Sequence, residues 1–523
     1  MAKPFYITTA ISYPNGRPHI GHAYEAIATD AIARFQRLMG RDVRFLTGTD
    51  EHGLKMAQTA RERGTMPKAL ADEMSSYFKA MDDRLGISYD RFIRTTDGDH
   101  HAASQAIWRA MVANGDIYAG RYEGWYSVRD EAFYDEKELV DGEGGERLSP
   151  QGTPVEWTVE ESWFFRLSAY QDRLLKHYAD NPDFIRPESR RNEVMRFVEG
   201  GLSDLSVSRT SFDWGVKVPD SPDHVMYVWV DALTNYLTGA GYPEPGYEHY
   251  WPADLHIIGK DIVRFHAVYW PAFLMSAGIA LPKSVFGHGF LLHRGEKMSK
   301  SLGNVVDPLE LADAFGVDAL RYFLMREVSF GQDGSYSAEA IVTRVNADLA
   351  NSFGNLAQRV LSFIFKNLDG RLPFGSFHGV SSDDQAVEVQ SAVELACANE
   401  FPRAFENLDI SGGLDAWMRA VFACNQYVDS QAPWALRKTN PTKMEEVLAI
   451  LYGCIADLAV AILPVIPNSA SRLLDLMGIA ENERTFARYT DGDRYKRLVE
   501  SGFTLSAPTP IFPRLEMPTG EAS

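Results

Sequence analysis

The sequence predicts an α/β fold: a split parallel sheet of the doubly wound type, interrupted by an inserted α+β segment and followed by an α-helical bundle. Three observations carry this. Strand, helix, strand patterning opens the chain and resumes near residue 223. Between the two, from about residue 117, short aromatic segments and polar turns replace it. From about residue 338, long amphipathic runs take over.

The first element covers residues 5–10, apolar, aromatic and β-branched, as suits a buried strand. Ala23, Ile27, Ala31, Phe35 and Leu38 then recur at helical spacing, with Gly40 as a stop. At the junction stands His19-Ile20-Gly21-His22. Two imidazoles three residues apart at a helix N-terminus sit where unpaired N–H groups and the positive dipole end favour an anion. Neutral imidazoles can donate to phosphate oxygens, and protonated ones add charge. Gly21 leaves room for a flat group against the backbone. An isolated His-x-x-His is more often a surface pair or a zinc pair, so its meaning depends on the rest of the chain.

Residues 43–47 read as a second parallel strand, closing a βαβ unit and ending in Gly48-Thr49-Asp50-Glu51-His52-Gly53. Polar residues at the C-terminal ends of strands lie where open α/β sheets bind ligands. Asp50 is thus a candidate for a substrate ammonium, or a helix N-cap. Helical patterning continues over 56–85 and 100–114. The inserted segment carries Tyr118, Tyr122, Trp125, Tyr126, Phe133 and Tyr134, a small aromatic core. The α/β pattern returns over 224–232. A strand, glycine turn and acid come next at 255–261, and then a helix with Ile262, His266 and Trp270 on one face. A strand at 284–292 leads to a glycine-flanked loop, Lys297-Met298-Ser299-Lys300-Ser301. Lysines on such a loop can close over a triphosphate and neutralise a leaving pyrophosphate.

The chain of 523 residues is 45% hydrophobic and 24% charged, and its length favours several domains. A formal net charge of −19 cuts against non-specific nucleic-acid binding. The three cysteines, Cys397, Cys424 and Cys454, lie on helical segments, which argues against a disulfide framework and for a reducing compartment. With no membrane-length apolar run and no signal-peptide pattern, a cytoplasmic protein is expected.

Taken together these motifs identify a resemblance. The chain resembles the class I aminoacyl-tRNA synthetases and, among them, the methionyl family. His19-Ile20-Gly21-His22 stands as the HIGH signature and Lys297-Met298-Ser299-Lys300-Ser301 as KMSKS. Residues 10–16, 49–53, 227–232 and 259–266 match in order and spacing as well. The resemblance implies a Rossmann-type catalytic sheet with a connective insertion and an anticodon-binding bundle. It implies a methionine site of Ile11, Tyr13, Asp50, Trp229, Ala232, Leu233, Tyr236, Ile262, His266 and Trp270. Asp50 would hold the ammonium and the aromatics would enclose the thioether. For ATP it implies Gly21, Gly259, Asp261, Lys297, Ser299 and Lys300, with His19, His22, Lys297 and Lys300 catalytic and Mg²⁺ on the phosphates.

Two departures from the family stand out. Leu233 replaces a proline found in some members, with little consequence expected. The insertion has no cysteine where many relatives bind structural zinc, so no metal is expected, and aromatic packing is expected to hold that knuckle. An insertion of roughly 100 residues is short for a branched-chain synthetase with its editing domain. A small-molecule nucleotidyltransferase would not need the helical module, and the intact His and Lys motifs argue against a non-catalytic relative.

In the bundle, Asn351, Asn355 and Arg359 share one polar face, and Pro433 and Trp434 come after a later helix. The resemblance implies that these five read the anticodon, Trp434 by stacking. The implied partners are tRNA(Met), including the initiator, with L-methionine and ATP, no membrane, and a monomeric state. The domains expected are 1–116 and 223–292 for the two halves of the sheet, 117–222 for the insertion, 293–337 for the KMSKS and stem-contact region, and 338–523 for the bundle.

Overall fold

The structure is a computed structural model that describes residues 2–142, 145–293, 296–297, 305–372 and 383–517. Two compact units emerge from its contacts. One comprises Met1–Lys3, Asp30–Asp42 and Gly289–Ser523; the other comprises Pro4–Thr29 and Val43–His288.

The unit Pro4–Thr29 with Val43–His288 is built on a six-stranded sheet. Its order is β3 (Arg91–Arg94), β2 (Asp42–Thr49), β1 (Pro4–Thr8), Leu255–Gly259, Val285–His288 and Ile185–Arg186. The pairings Ile7 with Leu255, His256 with Val285 and Leu46 with Arg91 are all parallel. The chain runs outward from β1 to β3 on one side and from Leu255–Gly259 to Val285–His288 on the other. The switch point therefore lies between β1 and Leu255–Gly259, beyond whose C-terminal ends such sheets bind ligands. The sixth strand, Ile185–Arg186, comes from inside the segment read as the insertion.

Helix α1 (Ile20–Leu38) comes after β1, buries Ile20, Ala23, Ile27, Ala31 and Phe35, and gives way to Gly40 at φ 80°. The single helical run expected over 56–85 is two helices, α2 (Leu54–Glu62) and α3 (Pro67–Arg84). Gly64 at φ 64° ends the first, and Pro67, which needs no N–H partner at a helix start, opens the second. After α4 (Gly98–Ala113) comes β4 (Ile117–Ser127), which pairs along its length with Glu156–Phe165 in a four-stranded antiparallel sheet.

Residues 224–232 differ from the expected pattern. Ser221–Met226 is a strand of a small antiparallel sheet, and Val228–Ala240 is a helix. The strand expected over 284–292 divides into Val285–His288 in the parallel sheet and Leu291–His293 in a separate sheet. At Gly289 a Cβ would lie 2.2 Å from the Gln332 backbone, so the chain can pass there only without a side chain.

The helix bearing Ile262, His266 and Trp270 is not regular. It opens as a 3₁₀ turn, widens to a π-helix over Phe265–Tyr269 and becomes α-helical over Trp270–Ala277. Pro271 is the cause. It has no N–H for the carbonyl of Ala267, and the wider turn accommodates its ring. The hydroxyl of Tyr178 donates to that carbonyl at 2.6 Å instead.

The knuckle of the insertion is held by aromatic rings and by a polar knot. Tyr122 and Tyr126 pack on Phe133 at 4.3 and 4.9 Å between centroids. Beside them the Asp130 carboxylate accepts from Ser149 Oγ at 2.8 Å, Tyr134 OH at 3.1 Å and Thr153 Oγ1. Ser127 and Ser149 each meet Thr153 at 2.8 Å. One hydrogen bond to a charged acceptor is worth about 1.5–3 kcal/mol, so Asp130→Ala, which removes three, should lower stability by more than about 2 kcal/mol. Urea unfolding of the purified chain checks this.

Among the described residues, the elements of the other unit from Pro308–Phe315 to Arg494–Glu500 are helical apart from the short strand Gly334–Tyr336. Arg321, fully buried, pairs with Asp30 at 2.6 Å and donates to the carbonyls of Val465 at 2.9 Å and Pro464 at 3.1 Å. A guanidinium has enough donors to satisfy a carboxylate and two carbonyls at once, and so stays buried without an orphan charge. Among the described residues no helix is long and apolar enough to cross a membrane.

Candidate active site

The HIGH residues form a reciprocal helix cap. His19 is the N-cap of α1: its carbonyl accepts from His22 N at 2.9 Å, and its Nδ1 accepts from Gly21 N at 3.0 Å. Three residues on, His22 Nδ1 accepts from His19 N at 3.1 Å. This is a variant of the capping box, with imidazoles in place of hydroxyl and carboxylate and the N-cap ring taking the N–H two residues on rather than three. A ring nitrogen that accepts carries no proton, so in this geometry both imidazoles are neutral and both protons lie on Nε2. The sequence also allowed charged imidazoles; the cap makes them neutral donors. A Cβ on residue 21 would lie 2.8 Å from His19 Cε1, so the glycine is needed for the ring to fold over it.

Asp50 stands at the end of β2. Its backbone N donates to the Ser12 carbonyl at 2.9 Å, while Ser12 N donates to Gly48, which continues β1 alongside β2 and brings Ile11 and Tyr13 beside Asp50. The carboxylate takes the His52 backbone N–H, and its Oδ1 is buried with no hydrogen-bond partner among the described residues. Burial first, and then the nearby charges of Asp231, Glu131 and Glu51, push its pKa well above the usual carboxylate value. A buried carboxylate oxygen without a donor fits a cation that arrives from outside.

Beyond Asp50 lies an aromatic wall. Tyr236, Leu233 and Trp270 are buried in the core, and Ile11, Trp229 and Ile262 pack against the same cluster. Trp229 stacks flat on Phe265 at 3.8 Å, and Tyr236 stands 6.2 Å from Trp270. His266 Nδ1 lies 3.0 Å from the Ile262 carbonyl and must donate there; Nε2, 2.6 Å from Tyr236 OH, must then accept. Burial lowers the His266 pKa to about 4, so at neutral pH this corner carries no charge. An uncharged, polarisable wall suits a thioether. Ala232 is also buried on the helix Val228–Ala240.

Gly259 ends the strand next to β1, and Asp261, in the 3₁₀ turn that follows, is exposed with its Oδ1 folded toward Gly259. Lys297 lies in a two-residue strand paired with Leu292. Met298, Ser299, Lys300 and Ser301 lie outside the described residues.

Sequence reasoning missed Glu131. It is buried, sits in the left-handed region at φ 49°, and accepts from Lys55 N at 3.3 Å and from Tyr126 OH. A Cβ on Gly53, itself at φ 109°, would meet its Oε1 at 2.7 Å. The insertion thus sends a carboxylate to the Asp50 turn, a contact no local pattern signals. Also unassigned from sequence was Asp231, bridging His52 and His100.

The chain matches the model of the family described as tRNA synthetases class I (M) over residues 5–361. It also matches the anticodon binding domain of methionyl tRNA ligase over 384–520. The chain belongs to the methionyl-tRNA synthetases. It is 58% identical to the methionine–tRNA ligase of Brucella suis over 98% of each chain. It is 57% identical to that of Mycobacterium bovis over 99% of each. Among solved structures it is similar to Mycobacterium tuberculosis methionyl-tRNA synthetase in complex with methionyl-adenylate. The TM-score is 0.92 at 56% identity, over 98% of this chain and 100% of that one.

In this methionyl-tRNA synthetase the helical unit brings together some of the bundle residues singled out from sequence. Helix Ile410–Gln431 ends at Ala432, at φ 45°, and Pro433 opens Pro433–Thr439, leaving Trp434 half exposed. Arg359 lies over the Trp434 ring at 5.4 Å and pairs with Asp429 at 2.7 Å. Asn351 and Asn355 are exposed, but Asn351 lies in a π-helix (Asn346–Gly354) and Asn355 begins the next α-helix. The regular i, i+4 face expected from sequence is therefore interrupted between them. Among the described residues no group of three or more His, Cys, Asp or Glu side chains could hold a metal ion.

Proposed function

We infer that this synthetase activates L-methionine with ATP to methionyl-adenylate and pyrophosphate, then transfers methionine to the 3′-terminal adenosine of tRNA(Met). The observation that carries this reading is the buried Oδ1 of Asp50, unpartnered among the described residues, beside a neutral aromatic wall. Asp50 takes the α-ammonium. Ile11, Tyr13, Trp229, Ala232, Leu233, Tyr236, Ile262, His266 and Trp270 enclose the side chain. The methionine carboxylate then attacks the α-phosphorus in line and expels pyrophosphate, so no enzyme nucleophile is needed.

Charge developing on the phosphates is met by Nε2–H of His19 and His22, with Lys297 and Lys300 of the KMSKS loop. Ser299 and Gly21 complete the nucleotide contacts, and Gly259 and Asp261 meet the ribose. Mg²⁺ enters with the ATP phosphates, consistent with its preference for phosphate and water ligands over protein cages. The ribose 2′-hydroxyl of the terminal adenosine then attacks the carbonyl carbon of the adenylate, forming the ester as AMP leaves.

Trp434, supported by Arg359, Asn351, Asn355 and Pro433, stacks an anticodon base of elongator and initiator tRNA(Met). The enzyme works as a cytoplasmic monomer, with residues 1–116 and 223–292 forming the catalytic sheet, 117–222 the insertion, 293–337 the KMSKS region and 338–523 the anticodon domain. The test is aminoacylation of tRNA(Met) transcript. Trp434→Ala should lower kcat/KM for tRNA by about 10- to 100-fold, as loss of one stacked base does. Methionine-dependent pyrophosphate exchange should remain unchanged; equal loss in both reactions would overturn the assignment.

A further inference from the structure

Behind the Asp50 turn lies a buried cluster to which the proposed reaction gives no role. Asp231 is fully buried on the helix Val228–Ala240, two residues after Trp229. One carboxylate oxygen meets His52 Nδ1 at 2.6 Å and the other meets His100 Nε2 at 2.7 Å. His52 belongs to the Asp50 turn and gives its backbone N–H to Asp50. Its ring stands edge-on to Trp214 at 5.1 Å, whose indole donates to the Glu51 carbonyl at 2.7 Å. His100, on α4 and fully buried, meets Thr238 Oγ1 at 3.0 Å through its other nitrogen. One carboxylate therefore ties the ammonium turn, the helix of the aromatic wall and α4.

We propose that Asp231 is a positioning residue for methionine activation: it holds the Asp50 turn against the helix Val228–Ala240, and its charge helps set the field that captures the α-ammonium. The proposal rests on the assignment of Asp50 as the ammonium site.

The groups that face Asp50 come from several elements. Glu51 on its own turn is neutralised by Arg94, at 2.6 and 3.0 Å. Tyr13 approaches from the segment after β1, Glu131 from the insertion and Asp231 from the helix Val228–Ala240. His52 lies on the turn, and His100 and His101 lie on α4, with His101 5.5 Å from the His52 ring. Glu131 and Asp231 are thus like charges beside Asp50, and Asp231 is shared between two imidazoles. Each like charge favours a proton on Asp50 and strengthens the attraction of an incoming cation. Removing one should weaken methionine binding at neutral pH and free Asp50 of its proton at lower pH.

The experiment is pyrophosphate exchange by the full chain carrying Asp231→Asn, across methionine concentrations and from about pH 5 to about pH 9. The KM for methionine should rise about tenfold, equivalent to about 1.4 kcal/mol, while the KM for ATP stays within about twofold. The acid limb of kcat/KM for methionine should move to lower pH. An unmoved acid limb, or an unchanged KM for methionine, overturns the proposal. A wild-type chain without methionine-dependent exchange overturns instead the reading on which it rests.

Should Asp231→Asn fail to fold, His52→Asn and His52→Leu replace it. Asparagine keeps a donor where Nδ1 stands and leucine does not. Near wild-type KM in the first with a raised KM in the second supports positioning, and equal loss in both, as for a packing role, contradicts it.

Discussion

Asp50→Asn is expected to lower kcat/KM for methionine by about a thousandfold while leaving the chain folded. The amide keeps the shape and the bond from the His52 backbone but removes the charge that pairs with the ammonium. Removing one partner of a buried charge pair costs about 3–5 kcal/mol, and each 1.4 kcal/mol is tenfold. The same substitution should stabilise the empty protein. Asp50's pKa is raised on folding, chiefly by burial and then by Asp231 and Glu131. A carboxyl with a raised folded-state value favours the fold below its unfolded value, and that advantage is lost as pH rises through the folded value. At neutral pH, above the unfolded value, the buried carboxyl is therefore a cost that asparagine relieves. Methionine supplies the opposite effect, since its ammonium requires the ionised form, and its affinity should fall as pH drops through the raised value. Thermal unfolding with and without methionine reads both signs: Asp50→Asn should melt higher than wild type when empty and gain nothing from methionine.

His19→Asn and His22→Asn should each slow adenylate formation by about a hundredfold with the melting temperature within about 2 °C of wild type. The prediction separates two jobs that the HIGH imidazoles perform at once. Their Nδ1 atoms cap α1, at 3.0 Å to Gly21 N and 3.1 Å to His19 N, which makes their Nε2–H groups the donors. Asparagine places an acceptor where Nδ1 stands, and it is among the best N-cap residues, but it has no group at Nε2. His19→Leu and His22→Leu lose both, so they should also lose about 1 kcal/mol of stability with the cap. Single-turnover adenylate formation beside thermal unfolding tests this. Asparagine variants that keep the wild-type rate would remove the imidazoles from catalysis and leave them as caps.

Much of this was legible in the sequence because the functional groups cluster at strand ends and helix starts, where local patterning is strong. Residues 43–47, and 5–8 of the run expected over 5–10, are strands as read, because buried parallel strands are continuous apolar runs. Trp434 was legible through Pro433, which opens a helix and fixes where the indole emerges. The misses share one cause: a distant partner decides the local conformation. The π turn at Phe265–Tyr269 depends on Pro271 and on the Tyr178 hydroxyl, 89 residues away, which takes the Ala267 carbonyl. Asp231 and His52 lie inside motifs legible in the sequence, yet 179 residues separate them, and only the packed helix makes them partners. Glu131 reaches the Asp50 turn from an insertion whose composition signals nothing beyond an aromatic core. The knuckle carries a hydroxyl and carboxylate knot, because Ser127, Asp130, Ser149 and Thr153 converge only once β4 has paired with Glu156–Phe165.

The measurement that tests the central claim most directly is ATP–pyrophosphate exchange without tRNA, run with methionine, leucine, isoleucine, valine and cysteine in parallel. Strong exchange with methionine alone is the result the Asp50 corner and the neutral wall of Trp229, Tyr236, His266 and Trp270 predict. Exchange driven equally well by another of these amino acids, or by none of them, would contradict it.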